Sequence, residues 1–394
     1  MTEHTTEALP ELPTARSCPY LPADGYEPSR WNGGAVTRVR LPGGRRAWAV
    51  TGYAEGRALL ADRRLTADRA HPGSPLQIPG TGGPRARPML LGAEGLEHQR
   101  QRRVLIPAFT VKRITALRPR LEHLVNERLD ALLAAGPPAD LVSGFALPVP
   151  SLTICEFLGV PYEDHAFFEQ QARLRHDPER GPQAIAELGD YLDELVRAKQ
   201  SAPGTGLIDE LLANQVQHGT IDRDEVVGLA LVLLIAGHAT TSSMISLGTL
   251  ALLQHPEQLA AVRSGEVALP AVVEELLRYV SSEGALPRVA LEDVEIGGHL
   301  IGAGDGVLIV TSVANRDEAL LAHPWELDVH RPAGQHLTFS HGIHQCLGQN
   351  LARAELEIAF HALFTRIPSL SLAASTGDLT TSRGSGLNTL PVTW

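Results

Sequence analysis

The stretch FSHGIHQCLGQNLARAELEIAF, Phe339 to Phe360, decides how this chain reads. A single cysteine, Cys346, stands in a loop between Gly342 and Gly348. An apolar-periodic segment follows at once through Leu347, Leu351, Ala354, Leu356, Ile358 and Ala359, so the order is loop, cysteine, helix. A cysteine at the head of a helix faces the positive end of the dipole and the free N–H groups of the first turn. That favours thiolate and predicts a lowered pKa. Glycines on either side admit a flat, bulky group to the backbone. A thiolate packed under such a plate suits a haem iron that takes a soft, electron-donating axial ligand.

The spacing F-x-x-G-x-H-x-C-x-G, carried by Phe339, Gly342, His344, Cys346 and Gly348, resembles the haem-ligand signature of the cytochrome P450 superfamily. Its soluble bacterial branch often carries histidine where His344 stands. The resemblance implies a mainly α fold with small β-sheets, with haem b buried between a long central helix and the cysteine-loop helix. It implies a single domain over residues 1–394, with an irregular lead-in over 1–40. It makes Cys346 the iron ligand, with Phe339, His344 and Gly348 around the cofactor.

The totals agree with one large fold. Of 394 residues, 43% are hydrophobic, ample for a sizeable core. There are 45 acidic and 34 basic residues, and the net charge of −11 disfavours nucleic acid as a partner. Three cysteines, Cys18, Cys155 and Cys346, build no disulfide framework and point to a reducing compartment. The N-terminal MTEHTTEALPELP has no signal-peptide core. The longest apolar run, Val226 to Gly237, is shorter than the ~20 residues that span a bilayer. The expectation is a cytoplasmic protein without a membrane anchor.

Near the start, Ala47–Val50 reads as a strand, and Thr51 as the cap of a helix over 53–61 that stops at Asp62. The Pro- and Gly-dense segment HPGSPLQIPGTGGPRARP, 71–88, predicts a lid or binding loop beneath which substrate enters. In EGLEHQRQRR, His98 and Arg102 are four apart and share a helix face. The residues alone allow an anion site or a solvated basic face, and the resemblance assigns the pair to a haem propionate. Arg103, Lys112, Arg113, Arg118 and Arg120 extend the basic patch, either to steer an acidic electron donor or as a solvated face. Cys155, among Leu152, Ile154, Phe157 and Leu158, reads as a core thiol. Helices over about 163–175 and 183–199 flank a turn at 177–182. In the resembled family such a pair roofs the substrate pocket.

A long helix begins at Asp222, with Glu225 three residues on as a capping box, and runs to about Gln254. Its first half is almost wholly apolar, which requires burial on all sides. Ala236-Gly237-His238-Ala239-Thr240-Thr241 interrupts it with poor helix formers, a local weakness that often marks function. Gly237 allows close approach of a ligand, and a threonine hydroxyl can bond back to a carbonyl and open the helix. By resemblance Thr240 is the alcohol of the family's acid–alcohol proton-delivery pair, and Ala239 stands where the acid belongs. His238 is next to that gap, as a replacement relay or a structural residue, although adjacent residues do not share a helix face. Leu233, Ala236, Ala285 and Leu387 are the candidate substrate-pocket residues, Leu387 near the tip of a C-terminal hairpin in SRGSGLNTLPVTW. Glu275, Arg278 and Arg331 match the family's structural E-x-x-R and its later arginine. Arg288, opening a small sheet, matches the second propionate-binding arginine.

The implied function is oxidation of a small organic secondary metabolite. It uses dioxygen and two electrons from a ferredoxin that, with its reductase, serves the basic proximal face. Hydroxylation or epoxidation is the leading expectation. The missing acid at Ala239 keeps oxidative C–C or aryl coupling as the alternative. A non-catalytic haem protein or helper is the alternative from another class, and the intact set Cys346, His344, His98, Arg102 and Arg288 weighs against it.

Overall fold

The computed structural model describes residues 9–27, 29–31, 33–76, 89–174, 179–280, 282–332, 334–381 and 386–394. Strands β1 (Val36–Arg40) and β2 (Arg46–Val50) form a hairpin ahead of α1 (Tyr53–Ala61) and β3 (Leu65–Thr66). Next come α2 (Gly95–Leu105), α3 (Val111–Ala135), β4 (Ala139–Asp140), α4 (Pro148–Leu158), α5 (His165–Leu174), α6 (Gly181–Ser201) and α7 (Leu207–Leu211). The long α8 (Arg223–Gln254) is followed by α9 (Pro256–Ser264) and α10 (Leu269–Val280). Then come β5 (Leu286–Ala290), β6 (Val294–Ile296), β7 (His299–Ile301), β8 (Gly306–Ile309) and the short α11 (Thr311–Ala314). The chain closes with α12 (Gln349–Arg366), β9 (Ser371–Leu372) and β10 (Pro391–Thr393).

The fold is mainly α with small sheets, as expected. One sheet has the order β1-β2-β8-β5-β3, with β2 and β8 parallel and the other pairs antiparallel. A three-stranded sheet, β4-β10-β9, ties the C-terminus to the loop after α3. The expected irregular lead-in over 1–40 is corrected at its end, because β1 lies inside it and Glu11 bridges to Arg40.

α8 starts as its sequence predicts. The Asp222 side chain accepts from Glu225 N at 2.9 Å, and Asp222 N donates to Glu225 Oε2 at 2.9 Å. Its 32 residues make it about 48 Å long. By length and apolar composition it is the one helix among the described residues able to cross a membrane. It packs instead against α4, α6, α10 and α12, with every residue from Thr241 to Leu252 buried. That is a core helix, and Cys155 belongs to the same apolar cluster, its thiol pushed up to about 12 by burial.

α1 departs from expectation at its start. Gly52, not Thr51, holds the N-cap, without a side-chain bond. Thr51 Oγ1 donates to Gly34 O at 3.3 Å, and Tyr53 N donates to Asp317 Oδ2 at 2.9 Å, so a carboxylate from far along the chain satisfies the helix end. Most of the expected lid loop (77–88), part of the turn at 177–182 and residues 382–385 before Leu387 lie outside the described residues.

The α10 pair is wholly buried. Arg278 grips Glu275 with two bonds of 2.7 Å and donates to the carbonyls of Asn315, Pro324 and Glu326. Glu275 Oε1 also accepts from Asp328 N at 3.0 Å and lies 3.6 Å from Arg331 Nε. One ion pair therefore fastens the segment 315–331, which leads into the cysteine loop. Removing one partner strands the other charge without water, at a cost of about 3–5 kcal/mol. Glu275→Ala is expected to lose that much stability in denaturant unfolding, and a loss under 1 kcal/mol would show that the fork is dispensable.

Candidate functional site

The cysteine loop is shaped by two glycines used in different ways. Gly342 has φ 74°, and a Cβ there would stand 2.5 Å from Leu60 O and 2.8 Å from Ala61 Cα. Its role is to let α1 pack on the loop, which corrects the expectation that both glycines admit a flat ligand. Gly348, the N-cap of α12, has only Phe109, at 3.9 Å, near its missing Cβ. Cys346 N donates to Phe339 O at 2.8 Å and closes the loop. Burial pushes the Cys346 thiol up, opposed by Gly348 N–H and the charges of Arg102 and Arg353. The expected lowering by the helix end is thus outweighed, since α12 begins three residues later and the desolvation of a thiolate is larger.

Beside the loop, positive groups and donors converge. The His98 and His344 rings lie 4.3 Å apart, and His344 Nε2 sits 3.2 Å from Glu94 Oε2. Burial works against the Glu94 carboxylate, but hydrogen bonds from His344, Thr66 Oγ1 and Ala67 N hold it down to about 2. His98 is pushed down to about 4 by burial, with His344 and Arg102 adding repulsion. Its Nδ1 is buried and has no hydrogen-bond partner among the described residues. Arg288 is buried, donates to the carbonyl of Pro287, and is pushed down to about 10 by the same desolvation. Burial also lowers Arg102, with Cys346 opposing. Neither Arg102 nor Arg288 meets a carboxylate at ion-pair distance among the described residues. Buried charge of one sign calls for a counter-ion. The two propionates of a haem would meet that need, so the residues present fit the cofactor.

Across the site, α8 turns a partly open face inward. Ala236, Gly237, Ala239 and Thr240 are partly exposed, while His238 is 1% exposed and lies on the buried side. Thr240 Oγ1 donates to Ala236 O at 2.8 Å, the predicted back-bond. A Cβ on Gly237 would meet Ile154 at 3.5 Å, an ordinary contact, so protein packing does not demand glycine there. Leu233 and Leu387 share the main apolar cluster, whereas Ala285 packs with the cluster around Tyr26, Leu308 and Val310.

The basic patch is smaller than its sequence suggests. Arg113 pairs with Glu210, Arg118 with Glu122 and Glu357, and Arg120 with Glu156. Arg103 and Lys112 remain exposed without an ion pair among the described residues.

Sequence reasoning missed the carboxylates behind the site. Glu94 is four residues before His98, a spacing that could have suggested it. Glu274 accepts from Arg353 Nε at 2.5 Å and sits 3.3 Å from His336 Nε2, and Arg353 lies 4.6 Å over the Phe339 ring. Nothing local marks that cluster. Glu355, wholly buried on α12 near Thr153, is pushed up to about 8 by burial and is a neutral acid at pH 7.

The cytochrome P450 family model matches residues 173–265 and 267–371. Pentalenic acid synthase of Streptomyces avermitilis is 51% identical over 393 residues, covering 97% of this chain and 97% of that protein. Vitamin D3 dihydroxylase of Streptomyces griseolus is 48% identical, covering 100% of this chain and 98% of that protein. The crystal structure of mycinamicin VIII C21 methyl hydroxylase from Micromonospora griseorubida, bound to mycinamicin VIII, superposes with a TM-score of 0.90 at 39% identity. It covers 98% of this chain and 100% of that one.

The shifted groups set an acid limb on stability. His98 goes from 6.5 unfolded to about 4 folded, so the unfolded chain takes the proton first. Its contribution is whole above pH 6.5 and drains as pH falls toward 4. Glu94, 4.5 unfolded and about 2 folded, loses its contribution below that window. The haem-free protein is expected to show a falling denaturation midpoint from pH 6.5 to 4, a limb that His98→Phe removes. A flat wild-type profile over that range would contradict the buried neutral imidazole.

Proposed function

The chain belongs to the cytochrome P450 family, and from that premise we propose that it hydroxylates a small organic secondary metabolite with electrons from a ferredoxin. It is an oxidoreductase of the monooxygenase type and its cofactor is haem b. When bound, the haem supplies dioxygen activation on a thiolate-held iron. Cys346 is the residue that would hold the iron, and His98, Arg102, Arg288 and His344 would hold the propionates. The observation that carries this reading is the gathering of Arg102, Arg288 and the His98–His344 ring pair around the cysteine loop, with neither arginine in an ion pair among the described residues.

The chain's own residues divide the work. Glu94 keeps the His344 ring in place, and Glu274 with Arg353 clamps Phe339 over the loop. Thr240 donates its proton to Ala236 O, so its oxygen remains an acceptor that can orient a water on the open face of α8. Ala239 offers that water no acid, and proton supply must come from another group. Of the basic patch, Arg103 and Lys112 are the exposed cations left to receive an acidic electron donor. Two of the relatives bear names of hydroxylases, acting on vitamin D3 and on a mycinamicin methyl group, which favours oxygen insertion over radical coupling. A cytoplasmic setting with a soluble ferredoxin is part of the same proposal.

Reduced protein under carbon monoxide is expected to give the thiolate-type difference spectrum, and Cys346→Ser is expected to abolish it. Retention of that spectrum in the variant would remove Cys346 from the iron. Ala239→Glu is expected to lower peroxide leakage per electron consumed, several-fold by the ordinary range of a positioned acid. Unchanged leakage and turnover would mean that proton supply is not limited at this position.

A further inference from the structure

On the cysteine side of the molecule, away from α8, lies a notch of about 550 Å³ between α1, the segment at 334–337 and the cysteine loop. Tyr53, Arg57, His336, Ser340, His341 and Gln345 line it, and none of the lining residues is acidic. That lining is unusual in a chain of net charge −11. Two carboxylates stand behind the lining and are already bonded: Asp317 accepts from Tyr53 N at 2.9 Å, and Glu274 is bonded to Arg353 and lies 3.3 Å from His336.

Two groups of this notch, the Arg57 guanidinium and the Ser340 hydroxyl, have no hydrogen-bond or ion-pair partner among the described residues. Arg57 is exposed and meets no carboxylate among the described residues. Burial, and after it the Arg57 charge, lower the pKa of the neighbouring His341. Ser340 is held at φ 62°, a left-handed conformation that costs a non-glycine residue energy. Its N–H donates to Leu337 O at 2.8 Å, but its hydroxyl oxygen is buried with no hydrogen-bond partner among the described residues. A strained serine with an unspent hydroxyl beside an unspent guanidinium is a donor set without its acceptor.

We propose that this notch is an oxyanion site that takes a carboxylate or phosphate group against Arg57, with Ser340 Oγ and the Gln345 amide as neutral donors. A guanidinium with flanking hydroxyl and amide donors matches the acceptor-rich geometry of such groups. The group can come from a small polyanion in solution or from an acidic side chain of the electron-donating protein. The second source rests on the ferredoxin reading above, and the first does not.

Holoenzyme is titrated calorimetrically with citrate and with inorganic phosphate, ionic strength being held constant with sodium chloride. In parallel, the half-saturating concentration of a plant-type ferredoxin is measured in turnover with and without citrate. The proposal expects saturable citrate or phosphate binding that weakens about tenfold or more in Arg57→Gln, the size of a lost charge-assisted bond. Ser340→Gly, which relieves the backbone strain and keeps the fold, is expected to weaken it less. Arg63→Gln, an exposed cation outside the notch, is expected to change nothing. If citrate also raises the ferredoxin half-saturation and Arg57→Gln mimics that rise, the donor's carboxylate is the occupant. If citrate binds and weakens in Arg57→Gln while the ferredoxin half-saturation is unmoved by either, the occupant is the free anion. No saturable binding of either anion, together with unchanged ferredoxin half-saturation in Arg57→Gln, overturns the site.

Discussion

The buried fork between Glu275 and Arg278 is the constraint on which the site depends. Both side chains are fully excluded from water, and such a pair persists only if every remaining donor and acceptor is met. Arg278 meets its needs with three carbonyls from 315–326, and Glu275 Oε1 accepts from Asp328 N, with the Arg331 guanidinium a second cation 3.6 Å away. The segment between the sheet and the cysteine loop has little regular structure of its own. It is held because a charge in the core of α10 has nowhere else to turn. Phe339 and Cys346 inherit their positions from that attachment, reinforced where Glu274, the neighbour of Glu275 in the chain, clamps Arg353 over the Phe339 ring.

The opposite electrostatic condition holds at the centre. There His98, Arg102 and Arg288 are desolvated without full compensation, which raises the energy of the protein alone and lowers that of a dianionic ligand bound among them. The same logic explains why the thiol of Cys346 is pushed up instead of down. A thiolate in this loop has the Gly348 N–H and the charges of Arg102 and Arg353 to help it, and they do not outweigh desolvation. Stability and function are therefore separated by residue: α10 carries satisfied charge, and the haem site carries unsatisfied charge.

The face of α8 shows a third pattern. Around the Gly237 turn the partly exposed Ala236, Gly237, Ala239 and Thr240 are small, and the one hydroxyl among them is tied to its own helix. His238, the obvious titratable neighbour, points into the core because one residue along a helix is a turn of about 100°. Glu355 is the acid that the core keeps neutral, beside Thr153 and thus one residue from Ile154, which fills the Gly237 notch.

By itself the sequence determined whatever is written in neighbours a few residues apart. The capping box that starts α8, its unbroken apolar length, the loop–cysteine–helix order and the shared face of His98 and Arg102 are all local patterns, and each stands where its spacing placed it. Resemblance to a family supplied the haem and made Ala239 conspicuous. Tertiary structure decided the rest, because the deciding contacts join residues far apart in the chain. Arg353 meets Glu274 across 79 positions and His344 meets Glu94 across 250. Gly342 serves α1, three of five basic-patch residues are neutralised, and the α1 end is capped by Asp317. Desolvation, which shifts the Cys346 thiol and the cations Arg102 and Arg288, is a property of packing, and no local spacing encodes it.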